Sequence, residues 1–431
     1  MLESPGETRF NARVPGPSRQ HDTMDLKVSQ VSSAAVFPQA VELPPRVIGR
    51  FGDDSSGPTL IVLAAVHGNE PAGYRAMRSL FSRFEKDPVE LRGSVVGLVG
   101  NRLALAEGRR FVKEDLNRLW LPDTVARIRA AGDLAGEPEP EPEAEMKEAR
   151  ELYLEIERVL TRAQGPVYAL DIHTFSGPGP AFVVFDDSLP NREFALELEV
   201  PSVLGIEEEL EGTLIDYLDT RGVRTAAFEA GQHDDPASVE QAEAAIWVAM
   251  RASGVLGRSG EAEVESASRR LAAAARGLPS LFEVKYRHAI KPNSDFQMRP
   301  GLRGFQDVAR GEQVGTEAGA PVLVPQSGRL LLPLYQAQGE EGFFVIRPIK
   351  TPWLALSARL RRLRLARFVH WLPGVRRLDA AGRELEVNLQ IARWLPLDFF
   401  HLLGFRRIGQ IGRHLFLRRR DEGKGPRDVE F

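Results

Sequence analysis

The chain of 431 residues contains no cysteine. This absence excludes disulfide bonds and metal sites built on thiolates, so any metal site here must use histidine and carboxylate ligands. Histidine is also scarce, with eight residues in the whole chain. Histidines that recur at matching positions of a sequence pattern are therefore informative. The absence of cysteine is neutral on compartment, and a cytoplasmic protein fits it well.

Long apolar runs and an excess of either charge are absent too. The formal net charge of −4 argues neither for nor against a polyanionic partner. No apolar run approaches the ~18 residues of a transmembrane segment, and the N-terminus lacks the apolar core of a signal peptide. Residues 1–23 are polar with scattered proline and glycine. We expect a disordered N-terminal arm there, with Met24 as an alternative start.

An apolar, β-branched run, Thr59–Val66, ends at the sequence His67-Gly-Asn-Glu70. This pattern predicts a buried strand that delivers an imidazole and a carboxylate to a cleft. Both are ligands of catalytic zinc, which usually has three protein ligands and an open position for water. The pair alone is weak evidence, because any long chain contains such spacings.

Two later apolar runs also end in candidate site residues. Val167–Ile172 is followed by His173, and Asp171 is placed to orient a metal ligand. Arg224–Phe228 is followed by Glu229, a candidate general base. Because the carboxyl ends of parallel strands build the site of an open α/β sheet, these side chains are expected to meet. The alternatives are a strand-end histidine bonded to a backbone carbonyl and an acidic residue ahead of the next helix.

A loop after the apolar run Ser94–Gly100 places Asn117 beside Arg118. An amide donor next to a guanidinium suits a substrate carboxylate, which arginine binds through two parallel hydrogen bonds. The alternative is a solvated cluster of charges.

The order His-x-x-Glu, Asn-Arg, Asp-x-His and Glu-x-Gly resembles the succinylglutamate desuccinylase/aspartoacylase family, a branch of the zinc carboxypeptidase-like hydrolases. The resembling segments lie within residues 45–250. The resemblance implies one zinc ion bound by His67, Glu70 and His173. It also implies Glu229 as the base that activates water.

The resemblance further implies that Asn117 and Arg118 hold a substrate carboxylate, and Arg110 matches a family arginine of the same cleft. One departure concerns the segment that begins at Asn101. Aspartoacylase-like members carry Asn-Pro-Arg-Ala there, whereas this chain has Leu103 in place of the arginine and Arg102 one position early. This departure argues against aspartoacylase specificity.

Helical and strand-like patterns alternate through residues 24–277, and apolar residues recur at helical spacing in Gly73–Phe84, Met146–Ala163 and Val239–Arg251. The alternation predicts an α/β fold with a mostly parallel mixed sheet flanked by helices. Residues 278–350 contain short apolar runs between glycine, proline and serine turns, which predicts a smaller β-rich domain. Such a domain lies beside the cleft in the resembling family, so we expect it to shape the pocket.

Residues 351–431 form a basic, aromatic-rich extension with roughly twice as many Lys and Arg as Asp and Glu. Leu354–Trp371 has the composition of a basic amphipathic helix that contacts nucleic acid or an anionic membrane. We favour instead a helix packed on the β-rich domain through its aromatic side, with its arginines in solvent.

The favoured function is a zinc-dependent hydrolase that cleaves an amide bond of a small carboxylate-bearing N-acyl compound, a deacylase. Zinc lowers the pKa of bound water to roughly 7. Glu229 takes the proton and returns it to the leaving amine. The alternatives are a carboxypeptidase-like metallopeptidase, with Arg118 on the peptide C-terminus, and a non-catalytic binding protein that uses the basic extension.

Overall fold

A computed structural model describes residues 43–53, 57–133, 143–291, 293–350, 352–392 and 397–420. The predicted arm at 1–23 and the alternative start at Met24 lie outside this part of the chain. Among the helices of these ranges, none combines the length and the apolar character needed to span a bilayer.

Eighteen strands occur in the described residues. Their bounds are β1 (Val47–Gly52), β2 (Thr59–Ala64), β3 (Ser94–Val99), β4 (Val167–Phe175), β5 (Phe182–Val184), β6 (Ser202–Leu204), β7 (Arg224–Gln232), β8 (Leu281–Ala289), β9 (Gln297–Met298), β10 (Asp307–Val308), β11 (Gln313–Glu317), β12 (Ala320–Leu323), β13 (Gly328–Leu331), β14 (Glu341–Pro348), β15 (Val375–Arg377), β16 (Glu384–Asn388), β17 (Phe405–Ile411) and β18 (His414–Arg419).

Ten α-helices and three short 3-10 helices lie between these strands in the same ranges. The α-helices are α1 (Ala72–Lys86), α2 (Arg102–Glu107), α3 (Pro122–Asp133), α4 (Ala144–Arg162), α5 (Leu189–Ala195), α6 (Leu214–Thr220), α7 (Pro236–Ala252), α8 (Glu261–Ala274), α9 (Pro352–Arg362) and α10 (Leu397–Leu402). The 3-10 helices are Leu116–Arg118, Leu196–Leu198 and Leu365–Trp371.

One continuous sheet of 11 strands has the order β1-β3-β2-β4-β7-β5-β6-β8-β14-β13-β10. Its centre, from β3 through β2 and β4 to β7, is parallel. Antiparallel strands join on both sides, with β1 at one edge and β14, β13 and β10 at the other. The parallel centre alternates along the chain with α1, α4 and α7, which confirms the predicted α/β class.

The parallel strands are buried because helices cover both faces of the sheet. Along β2, Leu60 and Val62 pack with residues of α1 and α7. The alternate residues Ile61 and Leu63 pack with residues of α4 and α6. A strand covered on both faces has no polar side, which explains the unbroken apolar run in its sequence.

Strand β8 pairs directly with β6, so the main sheet extends across the predicted domain boundary at residue 277. The later strands also form a three-stranded sheet of β9, β11 and β12 and a four-stranded antiparallel sheet of β15 to β18. The four-stranded sheet belongs to a separate apolar core that includes Phe400 and Phe405. The domain boundaries at residues 277 and 350 stay predictions.

The start of the basic extension packs on the rest of the protein through arginine. Arg361 of α9 is 3% exposed, whereas Trp353 and Trp371 are 48% and 71% exposed. The predicted orientation, with aromatic side chains inward and arginines in solvent, is therefore wrong for these residues. The physical reason is that Asp187 offers Arg361 a buried counter-charge, 2.8 Å from its Nη2.

We call Asp187, Glu208, Arg192, Arg361 and Arg420 the docking cluster, because two of its arginines belong to the extension. Arg192 and Arg361 both donate to Asp187. Arg420 forms ion pairs with Asp187 and Glu208. These arginines hold the pKa of the buried Asp187 carboxyl well below its usual range, although burial alone would raise it. The cluster ties both ends of the described extension to the segments after β5 and β6.

Candidate metal centre and active site

His67 and Glu70 reach the cleft from the turn between β2 and α1. The chain leaves β2 at Ala65, which has a φ of 54° in the left-handed region. Gly68 then lies directly against α2, because a Cβ there would stand 2.0 Å from the carbonyl carbon of Ala104. The glycine between the two predicted ligands is therefore required by this close approach.

The three predicted ligands converge on one point. His67 Nδ1 lies 2.9 Å from Glu70 Oε1, and His173 Nδ1 lies 3.0 Å from Glu70 Oε2. The ligand atoms of the three residues lie within 4.8 Å of one another, and all three side chains are buried. We call His67, Glu70 and His173 the metal-site cluster.

Each histidine of the cluster has a second carboxylate behind it. His173 Nε2 lies 2.9 Å from Asp171 Oδ2, and His67 Nε2 lies 3.1 Å from Asp115 Oδ1. Carboxylates in this position fix the ring and direct the other nitrogen toward a metal. The sequence analysis named Asp171 as a candidate for this position. Sequence reasoning gave Asp115 no role, although it lies two residues before Asn117.

The charges of the cluster suit a cation between its three members. Burial alone would raise the pKa of Glu70, but His67 and His173 hold it well below its ordinary value. Burial alone would lower the pKa of His173, but Asp171 and Glu70 hold it well above its ordinary value. An ionised carboxylate and two directed imidazoles fit the donor set of a divalent metal, which would replace protons on the rings.

Glu229 lies on the strand beside His173. The two residues are register partners on the parallel strands β4 and β7. Glu229 is half-buried, and its Oε2 has no hydrogen-bond partner among the described residues. Burial raises the pKa of Glu229 to about 8, supported by the charges of Glu70 and Asp171 and opposed by His173 and Arg110. Such a carboxyl group can exchange a proton near neutral pH.

The predicted substrate-binding residues all line the same cavity. Arg110 Nη1 lies 3.6 Å from Glu70 Oε1, and its Nη2 donates to Asp115 Oδ2 at 2.9 Å. The side-chain oxygen of Asn117 accepts a hydrogen bond from the Leu214 backbone at 2.9 Å.

Arg118 Nη2 donates to Glu341 Oε1 at 3.2 Å. Arg102, which stands near the departure from the family pattern, binds Glu148 and Glu151 instead. It does not line this cavity.

The cavity has a volume of about 140 Å³. Its lining includes residues around β13 and β14 that sequence reasoning did not single out, namely Leu332, Pro333, Leu334, Gln336, Gly339, Glu341 and Phe344. The only sequence signal for them was the expectation that the β-rich region shapes the pocket. His233 is not among the lining residues, because it lies behind the cavity wall. Its Nδ1 is 2.7 Å from Thr174 Oγ1, and its Nε2 is 2.9 Å from Gln336 Oε1.

Comparison with known proteins agrees with the sequence motifs. Residues 56–177 match the family described as the Succinylglutamate desuccinylase/Aspartoacylase catalytic domain. A succinylglutamate desuccinylase of Pseudomonas putida is 34% identical over 67 residues, which are 16% of this chain and 20% of that protein. One of Shewanella pealeana is 38% identical over 61 residues, which are 14% of this chain and 18% of that protein.

The chain thus spans about a fifth of the length of the curated relatives it matches. Among solved structures, a succinylglutamate desuccinylase/aspartoacylase from Rhodobacter sphaeroides shares 18% identity. It covers 70% of this chain and 88% of its own, with a TM-score of 0.49. The family match over residues 56–177 confirms the resemblance that the motifs indicated.

Proposed function

We propose that this chain, in which residues 56–177 match the catalytic domain of the succinylglutamate desuccinylase/aspartoacylase family, is a metal-dependent amide hydrolase. Its substrate would be a small carboxylate-bearing N-acyl compound, and its metal one zinc ion held by the metal-site cluster. The observation that supports this proposal most is the position of Glu229. Its carboxylate lies in the same cavity as the three candidate ligands and has an oxygen without a hydrogen-bond partner in the described part of the chain.

Zinc held by the cluster would lower the pKa of a water molecule and polarise a carbonyl group. Glu229 would accept a proton from the attacking water and return it to the leaving amine. Burial raises the pKa of Glu229 in the site without a metal, and the positive charge of a bound zinc would lower it again, so that the carboxylate could accept this proton. The nearest guanidinium to the cluster is Arg110, which would face the negative charge that develops on the carbonyl oxygen.

Arg118 would release Glu341 and bind the substrate carboxylate in its place. Asn117 would contact the same carboxylate. A peptide C-terminus is a carboxylate as well, so a carboxypeptidase-like activity is the alternative that Arg118 leaves open. A panel of N-acyl amino acids and short peptides separates the two. We expect hydrolysis of N-acyl amino acids, and its loss when the carboxylate is amidated. A cytoplasmic location stays a prediction.

Elemental analysis of the purified protein tests the metal site. We expect about one zinc per chain in the wild type and loss of zinc in His67→Ala. His233→Ala is the matched control and should keep its zinc, because His233 lies behind the cavity wall. Wild-type protein that is free of metal and takes up no added zinc would contradict the proposal. It would favour a non-catalytic binding protein that uses the basic extension.

A further inference from the structure

The cavity beside the metal-site cluster has an apolar wall that the proposed mechanism does not use. Ala227 lies two residues before Glu229 on β7, so both side chains project from the same face of the strand. Val184 on β5 pairs with Ala227 and continues the wall. Further apolar side chains of this wall are Ile206, Ile215, Leu332 and Phe344.

The arginines of the cavity are already bound to carboxylates of the chain. Arg118 donates to Glu341 Oε1 at 3.2 Å, and Arg287, which does not line the cavity, donates to the same oxygen at 2.9 Å. Arg110 donates to Asp115. The described lining residues include two arginines and four carboxylates, which are Glu70, Asp171, Glu229 and Glu341. If Arg118 releases Glu341 for one substrate carboxylate, the other lining arginine, Arg110, is still held by Asp115 and faces Glu70, so neither arginine serves a second carboxylate at the apolar wall.

We infer that the substrate carries a single carboxylate and an apolar group, and that the apolar group lies against the wall of Val184, Ala227 and Phe344. This inference rests on the proposed function and narrows its substrate class to monocarboxylic N-acyl compounds. A second carboxylate at the wall would lose its hydration without gaining a counter-charge, which is strongly unfavourable. An aliphatic or aromatic group loses nothing there and releases water from apolar surface.

The size of the cavity indicates the size of the apolar group that would fill it. Its volume of about 140 Å³ is close to that of an engineered apolar cavity of about 150 Å³ that binds benzene. A group of about six carbon atoms, the size of benzene, would therefore fill the apolar part of this space.

A matched pair of ligands isolates the effect of the second carboxylate. N-hexanoylglycine and N-adipoylglycine have acyl chains of equal length, and only the adipoyl chain ends in a carboxylate. Calorimetry on zinc-loaded Glu229→Gln measures binding without turnover, and kcat/KM is measured on the wild type. We expect the hexanoyl compound to be preferred by about 10-fold or more in both. The pair N-acetylleucine and N-acetylglutamate asks the same question of the amine side.

Two isosteric variants of neighbouring residues test the wall itself. Val184→Thr places a hydroxyl in the cavity wall. Val183→Thr places one on the opposite face of β5, in the core beneath α1 and α7. We expect Val184→Thr to weaken binding of the preferred apolar ligand by roughly 3- to 10-fold. Val183→Thr should leave it unchanged.

The outcomes separate this inference from the proposed function. Equal or tighter binding of the dicarboxylic ligands in both pairs overturns the inference, even if hydrolysis is observed. Equal effects of the two threonine variants overturn it as well, because the loss would then come from stability rather than contact. Binding that prefers the apolar ligands, with no hydrolysis of any panel member by the zinc-loaded wild type, supports the inference and contradicts the proposed hydrolase.

Discussion

The metal-site cluster and the docking cluster are both groups of buried charges, but different kinds of side chain balance the charge of their carboxylates. In the docking cluster, Asp187 receives hydrogen bonds from two arginines and forms an ion pair with a third. In the metal-site cluster, the counter-charges are imidazoles, whose protons a metal can replace. A cavity of about 140 Å³ opens beside the second group.

The difference shows that burial of charge alone does not mark a functional site. Arg420 and Asp187 are as deeply buried as Glu70 and His173, yet their contacts connect parts of the chain to one another. What distinguishes the metal-site cluster is Glu229, a carboxylate with an unpartnered oxygen on the wall of a cavity. The ion pairs of the docking cluster join segments of the chain to one another, whereas a reactive site keeps room for a ligand.

The largest expected effect comes from exchanging a carboxylate for an amide in each cluster. Glu229→Gln should lower kcat on the best N-acyl substrate by about 10²- to 10⁴-fold, because the amide cannot accept the proton from water. Bound zinc should remain. Glu208→Gln in the docking cluster is the matched control, with kcat within about 3-fold of the wild type. Similar losses of kcat in both variants would contradict the separation of roles.

Arg420→Met should produce the largest loss of stability. Its side chain is 3% exposed and forms ion pairs with Asp187 and Glu208, which would be left buried without this partner. We expect the free energy of unfolding to fall by about 3 to 5 kcal/mol in chemical denaturation.

Arg269→Met removes an exposed pair with Glu265 and should cost at most about 0.5 kcal/mol. Zinc content should stay unchanged in both variants. If the two variants unfold at the same denaturant concentration, the docking cluster contributes no more than a surface pair.

A smaller, pH-dependent effect on the free energy of unfolding is expected from Asp219, near the docking cluster. Burial raises the pKa of Asp219 to about 7, helped by the charges of Asp186 and Asp216. Its folded-state pKa thus lies above the unfolded value. The folded state is therefore destabilised progressively as the pH rises from about 4 to 7, and the penalty is complete above pH 7.

Asp219→Asn removes this penalty and keeps an oxygen to accept from Asn191, which donates to Asp219 at 2.8 Å. We expect the variant to be more stable than the wild type by about 1 to 2 kcal/mol at pH 8, with the gap narrowing toward pH 5. Thermal unfolding at both pH values measures it. A gap that widens as the pH falls would have the wrong sign for a raised pKa.

Local patterns in the sequence were sufficient to predict the parallel centre of the sheet and the three strand ends that face the cavity. Three predicted apolar runs all lie on strands or on the turns that follow them, namely Thr59–Val66, Val167–Ile172 and Arg224–Phe228. The spacing of Asp171 and His173 already placed both side chains on one face of a strand, since strand side chains alternate with a period of two. On this shared face, the two side chains are in contact at 2.9 Å.

The basic extension shows where composition was insufficient. Its arginines and aromatic residues predicted an amphipathic helix with the arginines in solvent, whereas Arg361 is buried and Trp371 is exposed. A helical period states which residues share a face, but not which face meets the rest of the protein. Asp187, which decides this, is more than 150 residues away in the chain, so no local pattern contains it.

The sequence by itself determined the elements and the ligand types, because helical and strand periodicity and the absence of cysteine act over a few residues or over the whole composition. Tertiary structure alone decided that Asp115 stands behind His67, that Glu341 binds Arg118, and that Phe344 completes an apolar wall. These contacts join segments separated by about 50 to 220 residues. Their partners are chosen by how strands and loops pack in three dimensions, which the spacing of residues along one element does not encode.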